Sequence, residues 1–169
     1  MNNIIYRRDL TLPILAMALV VFISNILVQF LLGDWLTWGA LTYPFAFLIT
    51  DLTNRFYGKN AAKKVVFCGF LIGVFCSLVG TQVIGEFGPI VTLRIAIGSA
   101  LAFIIAQLLD VSIFNLLRNT KWWKAPLISS FLGSSIDTTI FFFIAFSASF
   151  SFLEPANGLK RPMGISGWK

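Results

Sequence analysis

Leu93-Arg-Ile-Ala-Ile-Gly-Ser-Ala-Leu-Ala-Phe-Ile-Ile-Ala-Gln107-Leu-Leu-Asp110-Val-Ser-Ile-Phe-Asn-Leu-Leu117-Arg118 decides the fold class. From Leu93 to Leu117 the segment is long and apolar enough for a helix that crosses a bilayer, which takes about 20 residues. Its ends carry Arg94 and Arg118, and its interior carries Gln107 and Asp110. A carboxylate at the bilayer centre costs about 2.5–3.5 kcal/mol on insertion scales. Asp51 and Asp137 stand in apolar surroundings too, at the end of Pro44-Phe-Ala-Phe-Leu-Ile-Thr-Asp51 and of Gly133-Ser-Ser-Ile-Asp137. A chain that keeps three such groups has a use for them, most often a polar path for a solute.

Composition agrees. The 169 residues are 57% hydrophobic and 12% charged, about half the charge of a soluble domain, and mean hydropathy is +0.85. The expected fold class is all-α, a polytopic transmembrane helical bundle of five spans. It forms a single transmembrane domain over residues 1–153, followed by a short basic tail, 154–169. The net charge of +6 falls between the apolar segments, where the positive-inside rule accounts for it without nucleic acid.

The spans are Leu12–Leu32, Trp38–Leu52, Val65–Ile84, Leu93–Leu117 and Pro126–Phe152. The second is short and holds Pro44, so a kinked or tilted span and a re-entrant element both remain open. The run from Leu12 to Leu32 is too long for a signal peptide and lacks a small-residue cleavage site. Arg7 and Arg8, then Arg55, Lys59, Lys63 and Lys64, then Arg118, Lys121 and Lys124 occupy alternate connections. The connections between them hold Asp34 and Glu86 and no basic residue. The basic connections are therefore expected in the cytoplasm, with the N-terminus, and the second segment counts as a crossing. Five crossings leave Lys160, Arg161 and Lys169 on the outer side, against the rule.

Chemistry-bearing motifs are few. There is no histidine and no Cys-x-x-Cys pair, so no metal site is expected. Phosphate-loop and dinucleotide motifs are absent from the sequence, and no cofactor is expected. Cys68 and Cys76 lie in one apolar segment and read as packing thiols. Gly69-Phe-Leu-Ile-Gly73 is a GxxxG pattern, for intramolecular packing or for a dimer face. Arg94 is placed to snorkel to the interface. An aspartyl protease dyad is disfavoured because the Gly-x-Gly-Asp context is missing, so the chain is not read as an enzyme.

Gln107 and Asp110 share a helix face, either as a clamp to a neighbouring helix or as a solute site. Ser129, Ser130, Gly133, Ser134 and Asp137 form a small, polar stripe that serves packing or lines a cavity. Ser24, Asn25 and Gln29 add a polar patch on the first span. Together these faces suggest a shared interior site for a flat, polar heterocycle. The tryptophans Trp35, Trp38, Trp122 and Trp123 read first as an interfacial belt.

The stretch Thr42-Tyr-Pro-Phe-Ala-Phe-Leu-Ile-Thr-Asp51-Leu-Thr-Asn54-Arg-Phe-Tyr-Gly58 resembles the signature of the queuosine precursor transporter family, also called the vitamin uptake transporter family. Arg94-Ile-Ala, Gln107-Leu-Leu-Asp110-Val-Ser-Ile-Phe114-Asn-Leu-Leu-Arg118, and Trp122-Trp-Lys-Ala-Pro-Leu-Ile-Ser-Ser with Asp137-Thr-Thr-Ile-Phe-Phe match in the same order. The resemblance implies an inner-membrane importer of 7-cyano- and 7-aminomethyl-7-deazaguanine without its own ATPase. It points to Asp51, Asn54, Gln107, Asp110 and Asp137 as the site, to which the polar patch adds Asn25. Asp110 with Gln107 is expected to read the guanine-like edge, with Asp137 across the same cavity. Asp51, with Asn54 and Arg55, is placed nearer the cytoplasmic end as a gate. The alternative is a substrate-binding or structural membrane subunit needing a separate energising partner; a homo-oligomer is left open. Similar proteins continue into a sixth helix, where this chain has Glu154–Lys169. The reading offered for that difference is a truncated or frameshifted end.

Overall fold

The computed structural model describes residues 9–32, 36–85, 88–89 and 91–147. Arg7, Arg8, Asp34, Trp35, Glu86 and the tail 154–169 lie outside the described residues. Among the described residues five α-helices carry the fold: α1 (Thr11–Leu27), α2 (Tyr43–Tyr57), α3 (Lys59–Gln82), α4 (Leu93–Leu117) and α5 (Lys124–Phe146). A 3-10 turn, Trp38–Leu41, leads into α2. Two antiparallel ribbons of two residues a side close the connections: β1 (Leu31–Leu32) pairs with β2 (Leu36–Thr37), and β3 (Ile84–Gly85) with β4 (Gly88–Pro89). The fold class is all-α, as the composition demands.

Among the described residues three helices, α3, α4 and α5, are long and apolar enough to cross a membrane. At about 1.5 Å per residue their 24, 25 and 23 residues reach roughly 35 Å. The apolar α1 has 17 residues, and the shorter α2 has 15, roughly 22 Å.

Several boundaries differ from the sequence expectation. α1 ends at Leu27 rather than Leu32, because Gln29 and Phe30 turn their N–H groups back to Ile26 and Leu27 and Trp38 then bonds to Phe30 O. α2 runs past Leu52 to Tyr57, and Pro44 does not kink it. Pro44 stands in the first turn, where its missing N–H has no helical partner to lose. α3 starts at Lys59, directly after Gly58, whose φ of 90° makes the turn between the two helices. α5 stops at Phe146, short of the expected Phe152.

The helices lie in the order α1, α3, α4, α5, with α2 held against all four. Small residues set the close approaches. A Cβ on Gly69 would stand 2.6 Å from Met17 Cγ, and one on Gly73 3.3 Å from a Val21 methyl. The GxxxG pattern of α3 therefore receives α1 of the same chain. Met17, Val21, Ala46 and Val65 form the core at this junction, with Phe103 against it. Gly98, Ala102, Ala106 and Asp110 are buried along α4, and Ser129, Gly133, Asp137 and Ile144 along α5. These stripes face each other antiparallel, so Gly98 meets Ile144 and Asp110 meets Gly133.

The outer faces are apolar: Leu12, Leu15, Leu19 and Phe22 on α1, Phe45, Leu48, Leu52 and Phe56 on α2, Phe131, Phe142, Phe143 and Phe146 on α5. Such continuous apolar exposure suits lipid as the surrounding solvent. Cys68 and Cys76 are free and half-buried.

Arg94 departs from its expected role. It is buried, and its guanidinium turns inward to cap α5, with Nε donating to Ile144 O at 2.8 Å and Nη2 to Ser147 O. The last carbonyls of a helix have no intrahelical partner, and a cation there also complements the dipole.

Candidate functional site

α2 presents one face to its neighbours, with Ala46, Phe47, Thr50, Asp51, Thr53 and Asn54 buried. Along that face the structure builds two polar regions at different depths.

The first is a cavity of about 100 Å³ between α1, the start of α2, α3 and α4. Its polar edge comes from Ser24, Asn25, Tyr43, Ser77 and Ser99, and its flat walls from Phe70 and Phe103. Asn25 Nδ2 donates to Val21 O at 2.9 Å, which orients the amide, and the Ser77 hydroxyl lies 3.5 Å from Asn25 Oδ1. Of the six residues expected from the sequence, Asn25 lines this cavity. Asp137 is buried on α5 and does not line this cavity.

The second region is a buried layer toward the α2–α3 turn. Here the expected separation of Asp51 from Asp110 gives way to contact: the two carboxylates lie against each other. Asp51 receives the Ser129 hydroxyl at 3.3 Å on one oxygen and the Ser130 hydroxyl at 3.1 Å on the other. Gln107 Oε1 accepts from Thr50 at 2.7 Å, and Asn54 Nδ2 donates to Val111 O at 3.0 Å. Asp110 is fully buried; neither of its oxygens has a donor at hydrogen-bond geometry, although the Ser129 hydroxyl also stands near it, and Asn54 Oδ1 is likewise unpartnered. Asn54 therefore belongs to the α2–α4 seam beside Asp110. Arg118 Nη2 donates to Arg55 O at 2.7 Å and fixes the end of α2 to α4. The Arg55 guanidinium carbon stands 6.0 Å from the Phe114 ring centroid.

Gly133 makes this layer possible. Its missing Cβ would be 2.8 Å from Phe47 Cε1 and 3.3 Å from Asp110 Cβ. α5 can therefore lay Ser129 and Ser130 over Asp51.

The sequence reading missed Tyr43, Thr50, Ser77 and Ser99. Tyr43, Phe47, Thr50, Asp51 and Asn54 recur at helical spacing, and ending the second span at Leu52 cut Asn54 from that face. Ser77 and Ser99 are single hydroxyls in apolar helices, and spacing alone does not distinguish them from helix–helix contacts.

A family model described as "Putative vitamin uptake transporter" matches residues 37–163. The chain is similar to the "Queuosine precursor transporter" of Escherichia coli (strain K12), 40% identical over 143 residues, 76% of this chain and 64% of the relative. The "Probable queuosine precursor transporter" of Haemophilus influenzae is 43% identical over 125 residues, 67% of this chain and 53% of the relative. The protein of the same name from Bacillus subtilis (strain 168) is 31% identical over 138 residues, 69% and 58% of the two chains. The chain thus spans between 53% and 64% of the length of these relatives. No solved structure matches it. The chain belongs to the vitamin uptake transporter family, whose matched members are named queuosine precursor transporters.

Proposed function

We propose that this chain imports 7-deazaguanine precursors of queuosine across the cytoplasmic membrane, N-terminus inside, without an ATPase of its own. The observation that carries the reading is the cavity beside Tyr43. A deazaguanine is flat and aromatic, with N–H donors along one edge and acceptors elsewhere on its rim. Phe70 and Phe103 offer stacking faces. The Asn25 amide and the hydroxyls around it offer both donors and acceptors. Asp137, buried on α5 and outside the lining of the closed cavity, would accept from the N1–H and exocyclic amine once the cavity widens toward it, as acidic side chains accept from base amines elsewhere. It also favours the cationic aminomethyl form. Asp51, Asn54, Gln107 and Asp110 then belong to the inner half of the path.

An apolar cavity of about 150 Å³ takes a single benzene ring. A bicyclic base therefore needs this one, at about 100 Å³, to widen. α2 touches every other helix and is the element whose shift would open it.

The test is uptake of radiolabelled 7-cyano-7-deazaguanine by vesicles holding the purified chain. Saturable uptake, competed by the aminomethyl analogue and not by adenine, is the expected result. Uptake no faster than in empty vesicles contradicts the reading. Binding without uptake, together with co-purification of an ATPase, would instead identify a subunit of a larger importer.

A further inference from the structure

The buried layer holds more acceptors than donors. Among the described residues three buried side-chain atoms have no hydrogen-bond partner: Asn54 Oδ1, Asp110 Oδ1 and Asp110 Oδ2. All three are oxygens that only accept when Asp110 is ionised. Asn54 and Asp110 are both fully buried, and the Asn54 amide is held in the Asp110 seam by its bond to Val111 O. Asp51, 4% exposed, lies against Asp110 with both oxygens engaged by serine hydroxyls. A hydroxyl donor neutralises no charge, and two adjacent carboxylates out of water repel strongly.

Among the described residues no fixed cation completes the layer. On α2, Arg55 is the basic group whose charge reaches Asp51, but no salt bridge joins it to Asp51 or Asp110. On α4 the next basic group, Arg118, donates to Arg55 O instead. α5 brings the two serines and, further along, another acid, Asp137. α3 carries Lys59, Lys63 and Lys64 in its first turns, the last two exposed. The two sites are also separate, since Asp51 and Asp110 do not line the cavity that holds Asn25 and Tyr43. A molecule held in that cavity would leave the Asp51–Asp110 layer free.

We propose that the Asp51–Asp110 pair binds a monovalent cation, a proton or a sodium ion, that crosses with the substrate and drives its accumulation. Carboxylate, hydroxyl and amide oxygens are hard ligands suited to either ion. Asp51 already holds its two donors, so one positive charge on the Asp110 side completes the pair. The proposal rests on the transport reading above and gives it an energy source.

A neutral base carried with one cation moves one charge. About 2.3 kcal/mol per charge at 100 mV corresponds to roughly 50-fold accumulation. The test uses vesicles holding the full chain, an imposed inside-negative potential of about that size, and 7-cyano-7-deazaguanine. Accumulation of tens-fold that persists in sodium-free buffer, with acidification of a trapped dye, identifies the proton. Accumulation that requires sodium, with entry of labelled sodium, identifies that ion. Asp110→Asn should abolish the ion entry per substrate, whatever uptake it retains. Uptake that equilibrates at onefold with neither ion entering overturns the proposal. If no substrate enters at all, the transport reading fails, and the melting temperature of the detergent-solubilised chain judges the ion site. A dependence on sodium or pH that Asp110→Asn removes supports it, and its absence from the wild-type chain overturns it.

Discussion

Arg94, in the first turn of α4, reaches across to Ile144 near the end of α5 and donates to its carbonyl at 2.8 Å. With the second bond to Ser147 it is a charge-assisted clamp where the start of α4 meets the end of α5. Arg94→Ala should destabilise the chain by about 2–4 kcal/mol, because it leaves helix-end carbonyls unsatisfied. Arg94→Lys, with a single ammonium in place of the fork, should recover part of this. Unfolding of the detergent-solubilised protein measures both. A melting transition unchanged by Arg94→Ala would show that the residue reaches the lipid interface instead.

Gly133→Ala tests the approach of α5 to the acidic layer. The added methyl would lie 2.8 Å from Phe47 and 3.3 Å from Asp110 Cβ. Overpacking of this kind costs about 1–3 kcal/mol. It should also weaken the Ser129 and Ser130 bonds to Asp51, so uptake should fall more than folded protein does. Phe47→Leu should restore part of the stability of Gly133→Ala. No rescue would mean that the strain lies elsewhere.

Asn25→Leu tests the cavity. It removes the amide and should raise the substrate KM about tenfold or more, the equivalent of one lost polar contact of roughly 1.4 kcal/mol, with insertion unchanged. Ser77→Ala, which loses only a 3.5 Å neighbour of Asn25, should have a smaller effect. Equal affinity in Asn25→Leu and wild-type vesicles would remove the cavity from the site.

Asn54→Leu tests the α2–α4 seam. It deletes the bond to Val111 O and removes an unpartnered acceptor at the same time. These effects oppose, so stability should change by less than about 1.5 kcal/mol. Uptake should fall sharply, because the oxygen lost belongs to the acidic layer. Normal uptake would make Asn54 a packing residue only.

Much of the bundle was legible in the sequence. The run from Leu93 to Leu117 is α4 to the residue, because Thr92 caps it at one end, accepting from Ile95 N–H, and no proline interrupts it. GxxxG on α3 and the Ser129–Gly133–Asp137 stripe on α5 were readable as contact faces, since small residues alone permit such approach. The depth of Asp51 was not. Pro44 and the short apolar run hid the helical face that continues to Asn54, and only packing reveals that α2 sits among all four neighbours. The inward turn of Arg94 was also hidden, because an arginine at a helix end reads identically whether it meets water or another helix's carbonyls.

The most direct measurement is restoration of queuosine in transfer RNA. The chain is expressed in a bacterium that neither makes nor imports the precursors, with 7-cyano-7-deazaguanine supplied at low concentration. Queuosine should appear with the wild-type chain and fall with Asn25→Leu. No queuosine above the empty-vector level, with the wild-type chain present in the membrane, would contradict the assignment of this chain as a queuosine precursor importer.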